Sequence, residues 1–353
     1  MKTFVYFGTK PVEHSKGIYC YSLDLETGAM ALVDTTTAVN CAFLSVHPSK
    51  RVLYTLANVA GAEKGQNGGL AAYRINPETG ALAHINTVSC PTVSPSHVQV
   101  DRIGANVFGA NYNSSFVVTY PVRADGGLAE YSDIKRYEGN GPNEKRQEAP
   151  HPHSVFTSPD NRFALVSDLG TDTVHVYEND TLNHKLVSTK FGHVNTTPGA
   201  GPRHLAFHPC GRFVYVLNEM ASTLGVYNYD SATGALSEVQ VIDTLPSDYD
   251  EIRWAAEVLV SPDGRFVYSS NRGHESIAIF SVDPASGKLT AVGHESTRGV
   301  QPRNFNIDPT GRWLIAANMD SDNCELFRID PVSGNLSHTS SLAIPACARV
   351  AFL

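Results

Sequence analysis

The most regular feature of the chain is an alternation of apolar strand, tight turn and apolar strand that returns along its whole length. It is seen at VHPSKRVLYTLAN from Val46, TSPDNRFALVSD from Thr157, FHPCGRFVYVLNE from Phe207, VSPDGRFVYSSNR from Val260 and IDPTGRWLIAANM from Ile307. Each unit has a Pro-centred turn, an arginine just after it, and a β-branched or aromatic run ending on Asn, Asp or a charged residue, a pattern that predicts paired strands rather than helices. The turn arginines are Arg51, Arg162, Arg212, Arg265 and Arg312. The last four recur at roughly 50-residue intervals, and the first gap holds two units, with VDRIGANVFGANY from Val100 as the member that carries Ala105 in place of the arginine.

A second marker has the same period. Hairpin turns are predicted at Thr27-Gly28, Thr79-Gly80, Asp125-Gly126, Leu182-Asn183, Thr233-Gly234, Ser286-Gly287 and Ser333-Gly334. Seven copies of a four-strand unit define an all-β, seven-bladed β-propeller with four-stranded antiparallel blades. Phe4-Val5-Tyr6-Phe7 fits the second strand of a unit and Arg349 to Leu353 fits the first, so the ring is expected to close by placing the C-terminal strand in the N-terminal blade, which removes exposed sheet edges. On this reading residues 1–353 form a single domain, despite a length that would ordinarily suggest two.

Composition narrows the function classes. Charged residues make up 18% of the chain, and 28 Gly with 20 Pro agree with many turns. There is no run of 18 apolar residues and no basic-then-apolar leader, which predicts a cytoplasmic protein with no membrane association. The net charge of −8 opposes nucleic-acid binding but is compatible with a local basic pocket. Cys20, Cys41, Cys90, Cys210, Cys324 and Cys347 lack zinc-like spacing and are read as reduced structural thiols. No motif for a nucleotide, metal or serine nucleophile occurs, so no cofactor and no metal are expected.

In a propeller the inner strands and the loops at their ends frame the mouth of the central channel. Aligned inner-strand starts read Asn40-Cys41-Ala42, Pro95-Ser96-His97, Pro152-His153-Ser154, Pro202-Arg203-His204, Trp254-Ala255-Ala256, Pro302-Arg303-Asn304 and Ala346-Cys347-Ala348. The second strands end at Asn58, Asn111, Asp168, Asn218 with Glu219, Asn271 with Arg272, and Asn318 with Met319. The recurring Asn or Asp suits strand ends, where a short polar side chain satisfies backbone groups. Arg203, Arg272 and Arg303 break the repeat with cations at a crowded mouth, which points to a carboxylate or phosphate ligand, the alternative being ion pairs with Glu219, Glu257 or Asp168. Glu219 and His153 are the candidates for proton transfer to or from water. His204, His151, Asp168, Asn111 and Arg303 are candidate substrate contacts. The polar segment 138–150, EGNGPNEKRQEAP, leads into His153 and is either a surface loop or part of the pocket rim.

These motifs together, GPNEKRQEAPHPHSV, PGAGPRHLAFHP followed by YVLNE, SPDGRFVYSSNRGHESIAIF and QPRNFNIDPTGRWLIAANMDSDN, resemble the seven-bladed propeller lactonases, and the resemblance covers essentially the whole chain. That family includes the propeller type of 6-phosphogluconolactonase, and a fungal carboxy-cis,cis-muconate cyclase is similar in fold and pocket. The resemblance implies that His153, Arg203, Glu219 and Arg272 occupy the family's pocket positions, while Met319 stands where the family often has Gln. It implies action on a small anionic lactone, foremost 6-phosphoglucono-1,5-lactone of the pentose phosphate pathway, and a monomer is expected. A muconate-type cyclase and a propeller that only binds a ligand are the alternatives.

Overall fold

The computed structural model describes residues 1–353 apart from Ala60, Ala62 and Lys64. Seven four-stranded antiparallel sheets form, and each follows chain order from its inner strand outward. Blade I is the exception in sequence but not in geometry: Lys2–Thr9, Gly17–Asp24 and Met30–Thr37 are completed on the inside by Cys347–Phe352. Val5 lies opposite Phe352, Phe7 opposite Val350 and Gly8 opposite Arg349, so the ring closes with the C-terminal strand as the repeat predicts.

Blades II to VII start with the inner strands Leu44–Val46, His97–Val100, Pro152–Thr157, Pro202–Phe207, Trp254–Val260 and Pro302–Ile307. Each inner strand contacts the inner strand of the next blade, right around the ring. The core lies between blades rather than within one of them. One apolar slab, for example, joins Phe213, Tyr215 and Leu217 of blade V to Val258, Val267 and Phe280 of blade VI. Another joins Val5 and Phe7 of blade I to Trp313 and Ile315 of blade VII. Second strands such as Phe213–Asn218 are covered on both faces and read as apolar runs, whereas outer strands such as Leu236–Asp243 are half exposed.

The two sequence markers meet at the joints between blades. Arg162 donates to the carbonyls of Ser231 and Ala232, Arg212 to Pro284 at 2.9 Å, and Arg265 to Pro331, each on the hairpin of the following blade. These turn arginines are therefore structural. Gly287 shows why the hairpin needs glycine: its φ is +72°, and a Cβ there would lie 2.5 Å from Cγ of Phe213 in the preceding blade.

The repeat departs from expectation in blade IV, where the left-handed hairpin residue is His184 at φ +51° and not Asn183. His184 occupies the glycine position because the preceding blade carries Asn106 where others carry a bulky apolar residue. A hydrogen bond of 2.7 Å between His184 Nδ1 and Asn106 Oδ1 replaces the aromatic contact.

Candidate active site

Three of the candidate side chains owe their direction to one backbone device. In blade IV, Pro152 pairs with Asp168 and Ser154 with Ser167, so His153 is an extra residue in a β-bulge. The same bulge isolates Arg203 between Pro202 and His204, and Arg303 between Pro302 and Asn304. A bulge re-aims a side chain away from the ordinary alternation of the strand, and here it presents an imidazole and two guanidinium groups to the channel mouth. Glu219 and Arg272 come from the ends of second strands in blades V and VI.

Glu219 is the hub. Its Oε2 accepts from Arg203 Nε at 2.9 Å and lies 2.9 Å from Arg272 Nη2, while Oε1 accepts from Arg146 Nη2 at 2.5 Å. Burial alone would raise its pKa, but the charges of Arg272 and Arg203, with further help from His153 and Arg146, hold it far below the ordinary carboxylate range. Arg272 also donates to the carbonyls of Trp254 and Ala255, at 3.2 and 3.1 Å. Arg203 is almost fully buried; desolvation, then repulsion from Arg303 and Arg272, lowers its pKa.

His153 is buried, and among the described residues its Nδ1 has no hydrogen-bond partner. Desolvation first, then the neighbouring Arg203 and His204, puts its pKa well below 6.5, so at neutral pH it is an uncharged imidazole able to accept a proton. Arg303 is half-buried and, among the described residues, makes no ion pair or side-chain hydrogen bond. A guanidinium left without a protein partner in a pocket is set to receive a ligand anion.

The pocket has two adjoining lobes that share Ser96, His153 and Arg303. A lobe of about 280 Å³ is lined by Tyr112, Arg146, Glu219, Trp254, Arg272 and these shared residues. The other, about 610 Å³, is bordered by Lys10, Phe43, Asn58, Arg203, His204 and Asn304 among others. Four guanidinium groups thus face one carboxylate.

Below this mouth lies a buried polar layer centred on Glu257. His204 Nδ1 is 2.8 Å from Glu257 Oε1, Arg349 Nη1 donates to Oε2 at 3.0 Å, and Asn304 also donates to Oε2. Desolvation raises the pKa of Glu257 against the pull of Arg349 and Arg203, and the His204 pKa falls well below 6.5 for the same primary reason. His204 therefore touches the pocket chiefly as a support: its Nε2 is 3.3 Å from Arg203 Nη1.

The structure brings His153, Arg203, Glu219, Arg272, Arg303 and His204 together, but it does not bring the remaining candidates to either lobe. Asp168 is fully buried, and its Oδ1 accepts from the backbone N–H of His151 and Gly170 at 2.6 and 3.0 Å. Asn111 is spent on Val93 O and Ser114 N, at 2.8 and 3.0 Å. His151 stacks on Tyr112 and bonds its carbonyl at 2.8 Å. All three hold strand ends in place, as the recurring Asn or Asp does elsewhere in the repeat.

Sequence alignment left Arg349 and Arg146 out of the candidates and named Glu257 only as an alternative ion-pair partner for Arg203, Arg272 or Arg303, whereas its arginine partner in the structure is Arg349. In blade VI, Ala255 pairs with Asn271 as Pro202 pairs with Asn218, so Ala256 and Glu257 correspond to Arg203 and His204, one place later than the aligned Trp254-Ala255-Ala256. On the closing strand, Cys347 pairs with Thr9 and Arg349 with Gly8, which makes Ala348 the bulge residue and shifts that alignment by one as well. Counting back from the Asn at the second-strand end would have found Glu257. Arg146 carries no repeat signal, since it lies on the irregular loop.

The geometry defines a propeller with a cationic pocket at its channel mouth, and comparison with known proteins assigns its class: the chain belongs to the seven-bladed β-propeller lactonase family, whose model matches residues 4–352. The 6-phosphogluconolactonase of Bacillus subtilis (strain 168) is 36% identical over 307 residues, 86% of this chain and 84% of that one. Among solved structures, the periplasmic gluconolactonase of Pseudomonas aeruginosa matches with a TM-score of 0.93 and 31% identity, covering 100% of this chain and 99% of the other. A Lactobacillus plantarum protein matches with a TM-score of 0.91 at 33% identity over the full length of both. No helix among the described residues is long and apolar enough to cross a membrane.

Proposed function

We propose that this chain, acting as a single-domain cytoplasmic monomer, hydrolyses a sugar lactone that carries an anionic group, 6-phosphoglucono-1,5-lactone being the leading substrate and 6-phosphogluconate its product in the pentose phosphate pathway. The observation that carries this reading is Arg303, which has no ion-pair partner among the described residues and stands beside three arginines that share the carboxylate of Glu219. The name of the Bacillus subtilis relative supports the same substrate.

In the proposed mechanism neutral His153 accepts a proton from water as its oxygen bonds to the lactone carbonyl carbon. Arginines at the mouth stabilise the oxyanion that forms, which then collapses and breaks the bond to the ring oxygen. The ring oxygen leaves as the sugar hydroxyl by taking the proton that His153 accepted, and the carboxylic acid formed releases its own proton to solvent to become a carboxylate. Glu219 is a poor base because the charges of Arg272 and Arg203, both held on Oε2, keep its carboxyl far below the ordinary carboxylate range, and its assigned role is to position those two arginines. Trp254 and Tyr112 supply apolar walls for the sugar.

The test is acid release on a pH-stat with freshly prepared 6-phosphoglucono-1,5-lactone, glucono-1,5-lactone and carboxymuconolactone in parallel. Consumption of the phosphorylated lactone well above its rate in buffer is expected. Consumption of carboxymuconolactone alone would favour the cyclase reading, and consumption of none would favour a binding module.

A further inference from the structure

Arg146 is the one pocket guanidinium that the propeller repeat does not supply. It comes from the loop at residues 138–150, which is built to aim it. Gln147 is fully buried; its Nε2 donates to Leu169 O at 2.9 Å, and its Oε1 accepts from Asn143 N at 3.1 Å. Asn143 Oδ1 in turn accepts from Arg146 N at 3.2 Å. The Arg146 side chain remains 32% exposed, whereas Arg203 and Arg272 are 2% and 8% exposed.

The three arginines on Glu219 are not equivalent. Arg203 and Arg272 both hold Oε2, and each is fixed further by backbone carbonyls, whereas Arg146 alone holds Oε1. Releasing Arg146 would leave Glu219 with two cations and no unpaired charge. Four like charges about one carboxylate repel one another, and a second anion in the smaller lobe would relieve that repulsion.

We propose that Arg146 is the residue through which the pocket selects lactones with an anionic substituent: it leaves Oε1 of Glu219 and, with Arg303, grips the substituent, while Arg203 and Arg272 stay on Oε2. A phosphate monoester fits this arrangement best, since its oxygens accept from two guanidinium forks at once. The inference rests on the lactonase reading for its substrate but not for its binding step.

The experiment compares the wild type with Arg146→Ala and Arg146→Gln, both checked for an unchanged melting temperature. The ratio of kcat/KM for 6-phosphoglucono-1,5-lactone to that for glucono-1,5-lactone is expected to fall about 10- to 100-fold in both variants, mainly through KM for the phosphorylated substrate. An unchanged ratio overturns the assignment and leaves the lactonase reading intact. If the wild type consumes neither lactone, the lactonase reading fails, and calorimetric titration with inorganic phosphate decides the subsite. Weaker binding in the two variants supports it, and equal affinity or no binding in all three overturns it.

Discussion

Arg349 on the closing strand reaches Glu257 of blade VI, with Nη1 3.0 Å from Oε2 and the guanidinium 4.2 Å over the ring of Phe43. Ring closure therefore ends in a buried ion pair beneath the pocket as well as in strand pairing.

Removing one partner of such a pair leaves an uncompensated buried charge, which typically costs about 3–5 kcal/mol. Arg349→Met is expected to lower the melting temperature by several degrees, and adding Glu257→Gln should recover part of the loss, because the neutral amide needs no counter-charge. Thermal melts of the two single variants and the double variant check this. Strictly additive losses would mean that the pair is uncoupled.

His153→Ala should lower turnover by about 10²–10⁴-fold with little change in melting temperature. In the wild type the base works when neutral, and its pKa is depressed, so kcat/KM should stay level as pH falls to 6.5 and decline only below it. Glu219 raises the pKa of His153, so Glu219→Gln should move the acid limb to still lower pH. Disappearance of that limb in Glu219→Gln would instead identify Glu219 as the base.

Acid stability follows from the same burial. His97, His153 and His204 all have pKa values well below 6.5, primarily through desolvation. The unfolded chain therefore takes up protons below about pH 6.5 that the folded chain refuses, and stability must fall as pH drops through that range. Glu257 and Glu275, whose pKa values burial raises, oppose the trend, against the three buried imidazoles and His274, whose pKa burial also lowers. Melting temperatures from pH 7.5 to 5 should fall on the acid side, and a flat profile would show that the imidazoles are not buried neutral.

Two glycines separate backbone strain from contact. Gly211 has φ +73° with nothing within 4 Å of an added Cβ, whereas Gly287 has φ +72° and would bring a Cβ to 2.5 Å from Phe213. Gly211→Ala should cost about 1–2 kcal/mol from the left-handed conformation alone, and Gly287→Ala more, by an overpacking term of about 1–3 kcal/mol. Denaturation curves measure the difference, and kcat should be unaffected in both.

The architecture was legible in the amino-acid sequence because a propeller repeats one local solution: turn arginine, hairpin glycine and apolar inner strand are each demanded by contacts with the neighbouring blade, so they recur at a fixed interval. Arg203, Arg272 and Arg303 stood out for the opposite reason, as charges where that repeat needs none, and His153 as an imidazole in the slot that holds arginine in two other blades. Contacts across the ring left no such trace. The pairing of Glu257 with Arg349 and the hold of Arg146 on Glu219 join residues 92 and 73 positions apart. Bulges that shift register by one residue also hid which side chains share a layer. Asp168 and Asn111 read as site residues by position alone, and only the tertiary structure turned their hydrogen bonds inward. Strand order and closure follow from local periodicity, whereas the electrostatics of the pocket depend on distances that exist only once seven blades have met.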